Sequence, residues 1–202
     1  MVMHHEKEPS DENIRAVLKS KNKTQLNFPG MEASKELSAR WYAIYVKSRS
    51  EKKVLQTLTE KGIDAYLPIY KKLRQWSDRK KLVEMPLMPG YVFVHITWKD
   101  YDRVLQTDHV VCYITFGGKA APVRDEDIES LKHMLRQDKV KVELTREDLA
   151  PGEQVEILSG PLVGMKGELI QIKGKNKVGI RIQPVGYTVM VEVPISELAI
   201  IR

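Results

Sequence analysis

Seven glycines and four prolines fall between Pro151 and Pro194, and this punctuation decides what the segment can become. Each interior glycine costs a helix about 1 kcal/mol and each proline about 3 kcal/mol relative to alanine. A helix is therefore excluded, which leaves short extended runs divided by turns. Five runs are expected, near Gln154–Leu158, Gly167–Ile172, Lys177–Gln183, Thr188–Val193 and Leu198–Ile201. Short strands separated by Gly or Pro in this way make a small, five-stranded all-β barrel over residues 151–202.

The residues ahead of the barrel follow a different pattern. Trp41–Val46 (WYAIYV) reads as a strand. Ser48, with Glu51 three residues later, makes a capping box that opens a helix turning Val54, Leu55 and Leu58 inward until Gly62. A strand is expected at Ala65–Leu73, a long one at Leu82–Ile96 broken by Pro86 and Pro89, a helix at about Lys99–Gln106, and a strand at Val110–Phe116. The last helix is set by Asp125, Glu126 and Asp127 at its positive end, the stripe Ile128, Leu131 and Leu135, and Lys132, His133 and Arg136 at its negative end. The order βαβββαβα implies an α+β domain, a mostly antiparallel sheet with helices packed on it. Lys139–Ala150 alternates polar and apolar residues without a strong turn signal and reads as a tether. Residues 1–38 are mixed in charge, with only Ile14, Val17 and Leu18 hinting at a short amphipathic helix. The expected organisation is a mobile arm over 1–38, an α+β domain over 39–139, a flexible linker over 140–150 and the barrel over 151–202.

Composition narrows the function classes. At 42% hydrophobic and 30% charged, 202 residues suit one ordinary domain or two small ones in a soluble, globular chain. No apolar run approaches a membrane span and MVMHHEKEPSDE has no apolar signal core, so a cytoplasmic protein is expected. Cys112, the single cysteine, excludes an internal disulfide and sits in the apolar run VVCYI, where a buried small hydrophobe is expected. The net charge of +6 divides as +1 over 1–40, +5 over 41–139 and zero over 140–202. A nucleic-acid partner should therefore meet the central domain, and the neutral C-terminal domain suits a protein surface. Nothing points to catalysis, a cofactor or a metal. The histidines at 4, 5, 95, 109 and 133 lack metal-ligand spacing, Lys119 is followed by Ala120 where a phosphate loop needs a hydroxyl, and Asp125–Asp127 is explained by its helix start.

One stretch is more specific. Pro151–Ile182, PGEQVEILSGPLVGMKGELIQIKGKNKVGIRI, resembles a KOW motif, and WYAIYV, MPGYVFV (Met88–Val94) and GGKAAP (Gly117–Pro122) precede it in the order found in one family. Over Arg40–Ile201 the chain resembles NusG-like transcription elongation factors. The resemblance implies an NGN-type domain joined to a KOW barrel, and a non-catalytic, monomeric factor that binds RNA polymerase and suppresses pausing or termination. The arm, the basic segment described next and the altered barrel loops are closer to specialised paralogues of the RfaH/UpxY type, operon-specific antiterminators of loci such as those for surface polysaccharides. A housekeeping elongation and termination factor, or a ribosome-associated RNA-binding KOW protein, are the alternatives.

Three candidate sites follow. Tyr70–Lys81 (YKKLRQWSDRKK) reads as a basic hairpin tip, with Lys71, Lys72, Arg74, Arg79, Lys80 and Lys81 for phosphates and Trp76 for an unpaired base. Lys47, Arg49, Lys52 and Lys53, with Trp98, Lys99 and Arg103, form a second basic face; the resemblance implies contact with the non-template DNA strand of the transcription bubble. Tyr45, Tyr91, Phe93, Tyr113 and Phe116 are either ordinary core or an exposed patch. The resemblance implies that such aromatics grip the clamp helices of the polymerase's largest subunit. In the barrel, Leu162, Val163 and Met165 after the first strand and Tyr187 after the third either cap the fold or bind a ribosomal protein or another factor. Pro184–Tyr187 replace the pattern that housekeeping members use for Rho, which argues against Rho.

Overall fold

The computed structural model describes residues 38–75, 80–137, 140–146, 149–172 and 174–201, with only the backbone of residues 72–74, 80 and 81. The arm expected over 1–38 lies, but for Ser38, outside the described residues, as do Trp76 and Arg79.

Strand β1 (Arg40–Val46) organises the N-terminal part, because its alternating side chains feed two cores. It pairs antiparallel with β5 (Tyr91–Ile96) and β6 (Val110–Tyr113), and β2 (Asp64–Tyr66) lies beyond β5, giving the order β2-β5-β1-β6. The short β9 (Pro122–Val123) also pairs with β1. Ile44, Val46, Val92, Val94 and Ile96 point to one face, where helix α1 (Glu51–Glu60) packs Val54 and Leu58 and helix α2 (Tyr101–Leu105) packs Val104. Trp41, Ala43, Tyr91 and Phe93 point to the other, against Ile128, Leu131 and Met134 of helix α3 (Asp125–Arg136). A fully buried side chain such as Phe93 contributes about 1.5–3 kcal/mol.

Several expected elements are shorter than read. The strand over 65–73 is broken at Leu67–Pro68, and its second part, β3 (Ile69–Gln75), leaves the sheet to pair only with β4 (Lys80–Pro86). The run over 82–96 is divided at Leu87–Gly90. A single 3-10 turn (Trp98–Asp100) precedes α2, and the run over 110–116 is interrupted at Ile114, after which β7 (Thr115–Phe116) and β8 (Lys119–Ala120) form a small hairpin. The expected capping box does not form. The residue before α1 is Ser50, no side chain caps the helix there, and the Glu51 carboxylate accepts a hydrogen bond from Gly90 N–H at 2.8 Å. Cys112 is half-buried rather than buried, on β6 at the side of β1.

The C-terminal part is one antiparallel sheet. Strands β11 (Gln154–Ile157), β12 (Lys166–Ile172), β13 (Lys175–Ile182), β14 (Tyr187–Glu192) and β15 (Leu198–Ile200) match the five expected runs. A sixth, β10 (Val142–Thr145), comes from the segment expected to be a tether and pairs with β14, giving the order β10-β14-β13-β12-β11-β15. Its Glu143 accepts from the Lys177 ammonium at 2.5 Å, which satisfies a cation only 7% exposed. Gly152 and Gly179 admit close neighbours: a Cβ at Gly152 would lie 1.9 Å from the Leu169 carbonyl oxygen, and one at Gly179 2.3 Å from Ile170 Cδ1.

Candidate functional site

The expected aromatic cluster divides three ways. Tyr45 and Tyr91 meet edge to face across the β1–β5 register, ring centroids 5.6 Å apart, and Phe93 lies on the same face. Tyr113 points to the opposite face, beneath α2 and stacked on Tyr101 at 4.1 Å. Phe116 stands 87% exposed on the β7–β8 hairpin. One sheet face therefore presents three of the five.

That face is covered by the chain itself. Tyr187 of β14 packs edge to face on Tyr91 at 6.0 Å, leaving Tyr91 5% and Tyr187 8% exposed. The Arg146 guanidinium, just past β10, lies 4.2 Å over the other partner's ring, that of Tyr187. Arg181 of β13 donates to Glu168 of β12 at 2.8 Å and to the Leu149 carbonyl at 2.7 Å, fixing the chain that leads into the sheet. Burial raises the Tyr91 phenol above its ordinary pKa, so it stays a neutral aromatic at any physiological pH.

A buried carboxylate sets the geometry of this face. Gly90, at φ +82°, makes the turn into β5, donates to Glu51 and accepts from Val46 N–H at 2.8 Å. A Cβ there would lie 2.8 Å from Tyr45 Cε2, so the missing side chain is where the Tyr45 ring sits. The capping pattern did mark Glu51, but as a local cap, and only the fold shows its long-range partner. Lys132 of α3 holds its ammonium 5.0 Å over Trp41 and 5.5 Å over Tyr66, a pairing the helical stripe could not announce.

The second basic face gathers where β1 passes into α1. Lys47, Ser48 and Arg49 are exposed, and Lys47 N–H donates to the His109 carbonyl at 2.9 Å. Lys52 pairs with Glu84 of β4 at 3.1 Å, tying α1 to the hairpin. Arg103 is spoken for, with Asp100 at 2.5 Å and the Lys61 carbonyl at 2.8 Å. Trp98 is 43% exposed and continues a stack onto Tyr101, at 4.7 Å, and from there onto Tyr113.

The basic segment is a hairpin, as read. Its register sets Arg74 opposite Lys81 and Gln75 opposite Lys80. Like charges directly opposite destabilise a strand pair, and Arg74 and Lys81 carry the same sign. Lys71 stands opposite Glu84 and Lys72 opposite Val83. In the C-terminal sheet, Leu162 and Met165 are each 4% exposed and belong to the core, whereas Val163 is 56% exposed beside Leu158 at 57%. Among the described residues no group of three or more His, Cys, Asp or Glu stands where it could hold a metal ion, and no helix is long and apolar enough to cross a membrane.

The N-terminal part is a sheet with α1 and α2 on one face and α3 beside an aromatic strand pair on the other, and a sheet of short strands follows it. Residues 39–132 match the family model described as transcription termination factor NusG. Over 178 residues the chain is 27% identical to the transcription termination/antitermination protein NusG of Staphylococcus aureus strain Mu50, covering 82% of this chain and 98% of that protein. Strain N315 carries a relative with the same figures. A solved structure of Thermotoga maritima NusG is 25% identical and covers 83% of this chain and 99% of that one, with a TM-score of 0.44. The chain is thus similar to NusG transcription termination/antitermination proteins over most of its length, and its residues 39–132 match their family model.

Proposed function

We propose that this chain is a non-catalytic elongation factor that binds RNA polymerase through Tyr45, Tyr91 and Phe93 and suppresses pausing or termination as an operon-specific antiterminator. The observation that carries the reading is the Tyr45–Tyr91 pair, built by a glycine turn that a buried carboxylate holds in place. Aromatics fixed on a rigid sheet are the residue type that dominates protein interfaces. The clamp helices of the largest subunit are the surface they would grip. Because Tyr187 lies on Tyr91, gripping requires the C-terminal sheet to move off this face. Lys47, Arg49 and Trp98, with the β3–β4 hairpin, would then meet the non-template strand, phosphates on the cations and a base on the indole. Val163 and the released Tyr187 are the candidates for a ribosomal protein or another factor.

The test is retention of core RNA polymerase by the wild-type chain and by a Tyr91→Ala, Phe93→Ala double variant, with folding checked by near-ultraviolet dichroism. Retention by the wild type and loss by a folded variant supports the reading. Retention by neither removes it.

A further inference from the structure

A cavity of about 620 Å³ is lined by the segments that enter the two edge strands of the C-terminal sheet, Val140 and Lys141 ahead of β10 and Pro194 and Glu197 ahead of β15. Its volume falls in the range of ligand sites, about 300–1,000 Å³. The floor is apolar, built from the buried side chains of Ile157, Leu162 and Val193. Pro161 and Pro194 stand exposed at its rim. Neither Val163 nor Tyr187 lines it.

The charges around the cavity do not balance. Lys175 donates to both carboxylate oxygens of Glu192, at 3.0 and 2.9 Å. Lys141 faces Glu143 at 3.5 Å. Glu197 is left over: it is half-buried, and among the described residues no donor or cation meets its carboxylate. Its backbone is fixed on both sides, the N–H donating to the Pro194 carbonyl at 2.9 Å and the carbonyl accepting from the Leu158 N–H at 2.8 Å. Gly160, at φ +83°, brings the loop after β11 against it, and a Cβ there would lie 3.3 Å from Glu197 Oε2. The half-buried Asn176 side chain lines the same cavity and has no hydrogen-bond partner among the described residues. A partly desolvated carboxylate is costly unless a cation reaches it.

We propose that this cavity receives an arginine side chain of a partner protein, with Glu197 as its counterion. The site is separate from the surfaces that would meet polymerase and nucleic acid. Arginine joins a hydrocarbon stem to a planar fork of donors. The stem fits the floor of Ile157, Leu162 and Val193, and the fork serves two acceptors at once, the Glu197 carboxylate and the Asn176 side-chain carbonyl. Such charge-assisted, forked pairing with a carboxylate is stronger than a neutral hydrogen bond. An anion would be repelled by Glu197, and an apolar group would bury the carboxylate unpaired. The Lys175–Glu192 pair at the mouth is neutral and opposes neither.

Isotope-labelled full-length protein is titrated to millimolar concentration with the capped pentapeptide GSRSG and with its analogue in which citrulline, uncharged and of the same shape, replaces arginine. Amide shifts are followed by two-dimensional nuclear magnetic resonance, and thermal unfolding is recorded for each variant. The arginine peptide is expected to move the amides of Ser159, Leu162, Asn176 and Glu197, and the citrulline peptide to leave them in place. Glu197→Gln should keep its fold and bind at least about tenfold more weakly, the scale of one hydrogen bond to a charged group. Lys175→Ala frees the Glu192 carboxylate at the mouth and should bind at least as tightly as wild type. Equal shifts from both peptides, wild-type affinity in Glu197→Gln, or weaker binding by Lys175→Ala each overturn the proposal. So does an arginine peptide that moves none of these amides, whatever becomes of polymerase retention.

Discussion

Gly90 shows how much of the candidate site one residue can hold. Its φ of +82° and the 2.8 Å approach of the Tyr45 ring leave no room for a side chain. Gly90→Ala must bear the left-handed strain and displace the ring that makes the edge contact to Tyr91. The expected loss is about 1–3 kcal/mol of stability, read from urea unfolding, together with loss of polymerase retention. A variant as stable as wild type would show that the turn relaxes and does not position Tyr45. At this scale the sequence was legible in part. The glycine and proline of MPGYVFV mark a turn before a strand, but nothing in the local pattern says that Glu51, on another element, supplies the buried acceptor. Leu162 and Met165 show the same limit from the other side, because an apolar residue in a turn reads equally as a cap or as a binding loop. Only the packed core assigns them.

Strand β10 is where local reading failed at the scale of elements. Val142–Thr145 alternates polar and apolar residues as an edge strand does, yet no glycine or proline turn precedes it, and its partner β14 lies more than forty residues on. Long-range pairing leaves no local mark, whereas the five strands between glycines and prolines are each bounded by turn chemistry and were legible. The same reasoning explains why the β3–β4 hairpin was readable, since its strands adjoin in sequence. The hold on β10 has a pH signature. The hydrogen bond from Lys177, and then the charge of Lys177 and Lys141, lower the Glu143 carboxyl below its ordinary pKa. A depressed folded-state pKa contributes stability above the unfolded value and loses it as pH falls through the folded value. Protection of the β10 amides against hydrogen exchange, corrected for intrinsic rate, should therefore hold at neutral pH and fall below the ordinary carboxylate range. Glu143→Gln should lose that protection at neutral pH and flatten the dependence, because Lys177 stays buried without a countercharge. Equal protection in the variant and the wild type would mean that the backbone ladder alone holds the strand.

The molecule as a whole places its two expected protein-binding surfaces against each other, Tyr91 from one sheet and Tyr187 from the other. A partner of the N-terminal face then binds only the fraction of molecules in which the C-terminal sheet has moved away, and its apparent affinity is reduced by that fraction. The contact is made of an aromatic edge pair, worth about 0.5–1.5 kcal/mol beyond its area. The Arg146 guanidinium lies over Tyr187 from within the same C-terminal sheet, where Thr145 pairs with Thr188, so that contact travels with the sheet and does not enter the balance. Removing the edge pair shifts the balance toward the open form by up to about tenfold, since 1.4 kcal/mol is a factor of ten. Tyr187→Ala is accordingly expected to raise the affinity for core RNA polymerase by up to that factor. Arg146→Ala, which removes an exposed side chain of the C-terminal sheet and leaves the Tyr91–Tyr187 edge contact in place, should leave the affinity unchanged. Tyr91→Ala should lower the affinity although it opens the same contact, because Tyr91 is itself one of the proposed gripping residues. Titration of labelled polymerase with the three variants distinguishes the cases. Weaker binding by Tyr187→Ala would assign that ring to the polymerase surface, and unchanged binding by Tyr187→Ala would show that the covered form does not limit the encounter.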